Sequence, residues 1–468
     1  MLTVEQYAEY KRLEQFFDSL VVSKPLPAFV APAQAAARPK PFGLERLRSL
    51  LERLGNPQRD LRFAHITGTS GKTSTAYFLA SLLQFQGYAT GLFTSPPITT
   101  TAEYFLLNGA LPPVSDLLAL VNQVKPVIDA EYERHESGAI SQFELFVALA
   151  FLYFRQKRVD YVVLEAGLGG EHDATNIIPR SEVSIITGIG LDHTRVLGET
   201  LPEIAADKLG VVRAGTPLLT AEQRPEILAQ FRRKTERVKA DLDVCGQAFR
   251  LQNVSADADG TAFDYASDRL DLRALRVNMR GDYQARNAAL AMRAVERIAA
   301  ANGRALDESG LRAGLLTTRI PARCEQMQDQ PPVILDGAHN PDKIEEFAAY
   351  LRTRCAAGAV IFVCGFTSGR NLEAMLTPLL TVSSTFCLTR VITGFRATEE
   401  PFYVKNILKR LAPDAQAAIF LEPSAALDAA IAQAERGGQA VCVTGSLYLA
   451  GDLRQRWFPE YRLLNYEA

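Results

Sequence analysis

The chain has 468 residues, 47% of them hydrophobic and 22% charged, with a formal net charge of −2 and an isoelectric point near 6.3. That length predicts two or three domains with full cores, and the near-neutral balance excludes a general nucleic-acid binder while leaving room for local basic pockets. No apolar run approaches the roughly 20 residues that cross a bilayer, residues 1–17 hold no signal-peptide core, and the six cysteines include no Cys-x-x-Cys pair, so a cytoplasmic protein with reduced cysteines and no membrane or nucleic-acid partner is expected.

Residues 1–22 carry amphipathic helical spacing, and the Ala/Pro-rich run 24–41 predicts a loop. Residues 42–54 return to helical periodicity through Leu44, Leu47, Leu50, Leu51 and Leu54, closed by Gly55-Asn56-Pro57. A short apolar run, 61–66, then leads into His65-Ile-Thr-Gly-Thr-Ser-Gly-Lys-Thr-Ser74, followed by the apolar-periodic segment 76–85. This pattern is a strand, a glycine turn and a helix start. Gly68 and Gly71 have no Cβ, so the loop can turn its N–H groups inward onto a polyphosphate. The run Gly68, Thr69, Ser70, Gly71, Lys72, Thr73 and Ser74 is therefore a nucleotide site, with Lys72 on the phosphate oxygens and the Thr73 or Ser74 hydroxyl near a bound metal. Ile66 stands where the general P-loop pattern has its first glycine, so the loop is a compact Gly-x-x-Gly-Lys-Thr variant.

Residues 89–93 predict a strand ending in Thr94-Ser95-Pro96, and 114–135 and 142–157 predict helices. His135 falls in a charged run, 131–136, that reads as a solvated helix face. The buried-strand run 161–165 stops abruptly at Glu165, and 183–187 leads to Gly190-Leu-Asp-His193. An unpaired carboxylate at a buried strand end is costly, which favours a functional role for Glu165. Strands alternating with helices give a parallel sheet of the α/β class, whose ligands sit at the carboxyl ends of its strands. Ser95, Glu165, His193 and the phosphate loop all fall at such ends and converge on one crevice.

Residues 202–209 predict a helix carrying Lys208, 244–273 a β-rich excursion with a turn at 257–260, and 284–300 an Ala-rich helix opened by Gly281-Asp282. A boundary at 317–321 divides the chain into 1–317 and 318–468. After it the alternation restarts: strand 333–335, helix 342–354, strand 360–364, a helix near 371–380, and strand 440–444. The expected fold is α/β: a P-loop parallel-sheet ATPase domain followed by a smaller Rossmann-like α/β domain.

Taken in order, these motifs resemble the folylpolyglutamate synthase and dihydrofolate synthase family of the Mur ligase superfamily. The resemblance runs through Leu54-Gly-Asn-Pro57, Gly68-Thr-Ser-Gly-Lys-Thr-Ser74, Thr94-Ser-Pro96, Leu164-Glu-Ala-Gly-Leu-Gly-Gly170, Asp173-Ala-Thr-Asn176, Gly190-Leu-Asp-His-Thr194, Asp207-Lys-Leu-Gly210, Pro321-Ala-Arg323, Leu335-Asp-Gly-Ala-His-Asn-Pro341 and Gly445-Ser-Leu-Tyr448. It implies a ligase in which ATP phosphorylates a folate or pteroate carboxylate and the amine of L-glutamate attacks the acyl phosphate. It further implies Ser95, Glu165 and His193 as Mg²⁺ ligands, and a carbamylated Lys208 beside a second Mg²⁺. Asn287, Arg323 and Asp336 would contact ATP, the last two reaching in from the second domain. His339 and Ser446 would hold the incoming amino acid, and Lys72, Lys208 and His339 would serve catalysis. Glu103, Glu171, His172 and Asp173 fall on the acceptor side. The fold can act as a monomer.

The sequence departs from the family pattern at identifiable places. Ser70 and Thr73 stand where many folate enzymes have Asn and Gly, and Pro97 stands for His. Ala102, Tyr104 and Leu106 occupy positions where basic residues are common. Glu171-His172-Asp173 replaces Arg-Leu-Asp, and Ser368-Gly-Arg-Asn371 replaces a Lys-Asp pair. Most of the departures cluster where the acceptor binds. They leave open the same chemistry on a non-folate carboxylate and amino acid, or a nucleotide-binding relative without ligation.

Overall fold

The computed structural model describes residues 2–20, 44–134, 140–257, 259–392 and 397–465. The predicted loop 24–41 and His135 lie outside the described residues. The helix predicted for 1–22 is Val4–Ser19, started by a Thr3–Gln6 capping box that satisfies two otherwise orphaned N–H groups.

The first sheet contains β1 (Phe63–Thr67), β2 (Thr90–Phe93), β3 (Leu106–Leu107), β4 (Tyr161–Glu165), β5 (Val183–Ile186), β6 (Leu218–Thr220) and β7 (Leu242–Val244). Their order is β3-β2-β4-β1-β5-β6-β7, parallel throughout except that β3 runs antiparallel to β2. All residues of β1, β2, β4 and β5 are buried, because helices cover both faces of a parallel sheet. β1 lies between β4 and β5, with Ile66 opposite Glu165 and Thr67 opposite Ile186. The register thus brings the phosphate loop, Glu165 and the segment after β5 to one rim. Strand order reverses there, which opens a crevice.

The predicted β-rich excursion is a separate antiparallel sheet of β8 (Phe249–Asp257), β9 (Gly260–Ser267) and β10 (Asp271–Val277), ordered β10-β9-β8. Its buried Phe249, Phe263, Tyr265 and Leu275 share one core with the Asp282–Ala301 helix. On that helix Arg293 is held between Asp243 at 2.7 Å and Glu296, one turn on, at 2.6 Å.

The Glu308–Thr317 helix packs on the Lys72–Phe85 helix, where the Ser81 hydroxyl donates to the Gly314 carbonyl at 2.8 Å. The chain then crosses to a second sheet: β11 (Glu325–Asp329), β12 (Pro332–Leu335), β13 (Val360–Cys364), β14 (Thr385–Thr389), β15 (Gln416–Phe420) and β16 (Ala440–Thr444). Their order is β11-β12-β16-β13-β14-β15, parallel apart from the antiparallel β11. Sequence reading finds β12, β13 and β16 but not β14, β15 or the Pro401–Leu411 and Pro423–Gly437 helices. All six cysteines are free. Among the described residues no helix is long and apolar enough to cross a membrane.

Candidate active site

The phosphate loop is shaped by contacts that only glycine permits. A Cβ on Gly68 would lie 1.9 Å from the Thr187 hydroxyl, and one on Gly71 2.4 Å from Asn287 Oδ1, with both residues at positive φ. The Thr187 hydroxyl donates to the Ser70 carbonyl at 2.6 Å, and the Thr69 hydroxyl exchanges hydrogen bonds with the Gly190 backbone at 2.9 and 3.1 Å. The segment after β5 therefore clamps the loop. Lys72 folds over it, its Nζ 3.0 Å from the Gly68 carbonyl. Lys208, buried at the end of the Leu201–Lys208 helix, donates to the same carbonyl at 3.0 Å. Burial first, and then the charge of Lys72, bring its amine down to about 7.

At the end of β4 the buried Glu165 carboxylate accepts from the Thr73 hydroxyl at 2.9 Å and from the Ser95 amide at 3.4 Å. Burial raises its pKa, opposed by Lys72 and those two hydrogen bonds. It has no ion-pair partner among the described residues. A desolvated carboxylate beside two hydroxyl-bearing residues is a hard-oxygen donor set of the kind Mg²⁺ takes. His193 is exposed, in a left-handed backbone conformation, and lines the same cavity. These residues fit a metal, although among the described residues no cluster of three acidic, histidine or cysteine side chains is already assembled for one. Carbonyl, hydroxyl and phosphate oxygens would have to complete the shell.

The second domain supplies the opposite wall. Asp336, at the end of β12, accepts from the Cys324 and Ala338 amides at 2.9 and 2.8 Å; burial raises its pKa against the opposing charge of Arg323. His339 directs Nδ1–H to the Gly337 carbonyl at 2.8 Å, leaving Nε2 to accept from Lys343 Nζ at 3.3 Å. Desolvation and then Lys343 hold its pKa well below the usual imidazole range. Ser446 caps the Leu447–Arg454 helix after β16. Hydrogen bonds across the cleft tie the domains, and away from it Glu460 accepts from the Tyr7 hydroxyl at 2.9 Å and pairs with Lys11 at 2.9 Å. Asp192 accepts from Asn340 Nδ2 at 3.3 Å and Arg370 Nη1 at 3.4 Å, and Arg454 donates to the Thr99 hydroxyl at 3.0 Å.

These walls enclose two adjoining cavities. One, of about 480 Å³, runs from the phosphate loop past Asn287 to Arg323 and Asp336. The other, of about 520 Å³, runs from Ser95, His193 and Lys208 past His339 and Ser446 to the aromatic residues Tyr104, Phe143 and Phe146. Thr69, Lys72, Thr73, Glu165, Arg323 and Lys343 line both. Every expected nucleotide, metal and amino-acid residue faces one or both cavities.

The structure places the four acceptor-side residues differently from one another. Glu103 does not line the acceptor cavity; its buried carboxylate accepts from the Ile98 and Thr99 amides at 2.5 and 3.2 Å and so fixes the turn after Pro96. Glu171 and His172 are exposed and lie off the cavity, because Gly170 turns against the Lys208 backbone and directs them outward. Asp173 does line it, but its carboxylate accepts from the Leu168 amide at 2.7 Å and the Thr175 amide at 2.9 Å. Sequence reading missed Asp192, Arg370, Lys343 and the aromatic wall. The available signals were that Asp192 adjoins His193 and that Tyr104 and Arg370 fall in segments departing from the family pattern; Lys343 comes to the site through packing across the cleft.

The sequence matches the Mur ligase middle domain over residues 66–295 and the dihydrofolate synthetase C-terminal domain over residues 322–456. It is 34% identical to the dihydrofolate synthase/folylpolyglutamate synthase of Bacillus subtilis, over 88% of this chain and 94% of that protein. Mycobacterium tuberculosis folylpolyglutamate synthase, solved with ADP and AMPPCP, superposes with a TM-score of 0.86 at 25% identity, covering 99% of each chain. An FPGS–AMPPCP–folate complex superposes with a TM-score of 0.78 at 29% identity, covering 96% of this chain and 99% of that one.

Proposed function

The chain belongs to the folylpolyglutamate synthase and dihydrofolate synthase family, and from that premise we propose the reaction of its two joined cavities. The protein is an ATP-dependent ligase that adds L-glutamate to the carboxylate of a folate-type acceptor through an acyl phosphate. The observation that carries this reading is the shared wall: Lys72, Thr73 and Glu165 line both cavities, so a polyphosphate in one and a carboxylate in the other would meet there.

Phosphoryl transfer depends mainly on positioning and charge neutralisation. The loop amides and Lys72 hold the phosphates, with Asn287 packed against Gly71. Arg323 and Asp336 close over the nucleotide from the second domain, so that closure completes the site. Ser95, Glu165 and His193 would hold Mg²⁺, with Lys208 beside a second ion. Bound there, the metal would neutralise charge on the phosphate oxygens. The buried Lys208 amine, neutral in much of the population near pH 7, is in the form that takes up CO₂, and a carbamate there would present oxygen where an ammonium would repel a metal. On the acceptor side, Tyr104 and Phe146, with ring centroids 4.4 Å apart, and Phe143 offer flat apolar surfaces suited to a pterin ring. His339 and Ser446 stand where glutamate would enter. A monomer acting in the cytoplasm belongs to the same proposal, since no group named here requires a second copy of the chain.

The test is purified protein with Mg²⁺, ATP, L-glutamate and either dihydropteroate or tetrahydrofolate. Phosphate release with a product heavier by one glutamyl unit is expected. Absence of phosphate release with every pterin acceptor overturns the folate reading; release with other carboxylates alone would move the reaction to a different acceptor.

A further inference from the structure

Of the six residues that line both cavities, Thr69, Lys72 and Thr73 belong to the phosphate loop, Glu165 to the metal set and Arg323 to the nucleotide clamp. Lys343 is the sixth and has no role in that scheme. It stands in the first turn of the Pro341–Arg352 helix, whose N-cap Asn340 accepts its backbone amide at 2.9 Å. A cation there opposes the positive end of the helix. Lys72 and Arg323 add like charge, while Asp192 and Glu165 are the carboxylates that act on it. Among the described residues its Nζ meets only the Nε2 lone pair of His339, with no carboxylate in ion-pair range. Lys72, Arg323 and Lys343 thus line one wall shared by both cavities, and among the described residues Lys343 has no ion-pair partner there.

We propose that Lys343 is a catalytic cation that holds the transferred phosphoryl group from the second domain, opposite Lys72. This rests on the ligase reading above. In that reaction an acceptor carboxylate oxygen bonds to the γ-phosphorus as the bond to the β–γ bridging oxygen breaks, and ADP leaves with the electron pair. The glutamate amine then forms the C–N bond, phosphate leaves with the C–O pair, and the amine proton passes to solvent. Lys343 makes no covalent bond. Its ammonium stays beside the phosphoryl oxygens through both steps, oriented by His339, whose Nδ1–H is engaged by Gly337. Burial, followed by Lys72 and Arg323, lowers its pKa to about 7 when no anion is bound, and a phosphate in the cleft reverses the like-charge part of that effect.

The experiment compares Lys343→Met and Lys343→Arg with the parent for binding of Mg²⁺–ADP and of the triphosphate analogue AMPPCP, and for steady-state ligation. In Lys343→Met, ADP affinity is expected to stay within about twofold, showing a folded cleft, while AMPPCP binds about tenfold more weakly. Its kcat should fall about a hundredfold with the glutamate KM nearly unchanged, and Lys343→Arg should recover most of the AMPPCP affinity. Equal weakening of both nucleotides, weakening of neither, or a loss confined to the glutamate KM overturns the proposal. If the parent protein releases no phosphate with any pterin, the folate reading fails separately, and the ADP–AMPPCP contrast still decides whether Lys343 meets the γ-phosphate.

Discussion

Lys72 and Lys208 donate to the same acceptor: each Nζ lies 3.0 Å from the carbonyl oxygen of Gly68. Two full positive charges on one carbonyl repel, and Lys208 is the one that yields, its amine lowered to about 7 by burial and then by Lys72. An unfolded lysine titrates at about 10.4. Between those values the unfolded chain binds more protons than the folded one, so the folded state gains stability as pH rises from about 7 to about 10. Lys208→Met removes that dependence. In CO₂-free buffer the variant should melt higher than the parent by about 2 °C or more near pH 6.5, with the difference shrinking toward pH 10. Scanning fluorimetry across that range checks it, and a constant difference would show that Lys208 is not the titrating group.

The same residue gives an activity prediction. If Lys208 works as a carbamate, its contribution is a pair of oxygens at the end of a long stem. Lys208→Ala should lower kcat by about a thousandfold, and added acetate or propionate should restore part of it by supplying a carboxylate in the vacated space. Saturating recovery with carboxylate concentration is expected in initial-rate assays. Recovery with methylamine instead would mean that the residue acts as an ammonium.

Glu165 is buried with a raised pKa, a condition that destabilises the empty protein: the folded chain holds its proton more tightly, so stability falls as pH rises through the carboxyl range. Glu165→Gln should therefore leave the thermal midpoint at pH 7 unchanged or higher. It should also weaken the apparent Mg²⁺ affinity and lower kcat by about a hundredfold or more. Thermal shifts with and without Mg²⁺–AMPPCP separate the two effects. The parent should be stabilised strongly by the pair, the variant by nucleotide with little further gain from metal.

The legible parts of this molecule are those where burial writes itself into a short run. β4 is apolar up to Glu165, and β1 is a largely apolar run up to Gly68, because both are covered on both faces and end at the crevice. β15 carries no such run; as an edge strand its Ala418 and Ile419 are exposed and only Ala417 and Phe420 turn partly inward. Lys343 reads locally as an ordinary lysine in a first helical turn, and its surroundings arise only when β12 and β1 face each other across the cleft. Glu103 is hard to read for the opposite reason. Its partners are backbone amides of Ile98 and Thr99, which carry no residue-type signal, so a buried loop brace resembles a ligand-binding carboxylate.

The placement of these residues can be tested directly. Glu103→Ala leaves two half-buried amides without acceptors, which costs about 1 kcal/mol and loosens the turn that carries Ser95 and Thr99. The thermal midpoint should fall and the acceptor KM should rise. Glu171→Ala and His172→Ala, both exposed and off the cavity, should each change stability by less than about 0.5 kcal/mol and leave KM for acceptor and glutamate unaltered. Steady-state kinetics with a pterin acceptor is the measurement. A large KM effect at Glu171 or His172 with normal stability would return those residues to the substrate site.

Asp192 joins the domains through Arg370 and Asn340. Its burial would raise its pKa, but His193, Lys343 and Arg370 outweigh that and lower it to about 2. The stabilisation it gives is present above about pH 4 and is lost as pH falls toward about 2. Asp192→Asn keeps the shape and removes the charge, so Arg370, Lys343 and Arg323 face the first domain with one less counter-ion. The closed arrangement should lose population, seen as a larger radius of gyration in solution scattering and a rise in the ATP KM of about tenfold. High salt screens partly exposed pairs. It should therefore expand the parent toward the variant while changing the variant little, and equal expansion of both would show that another contact holds the cleft closed.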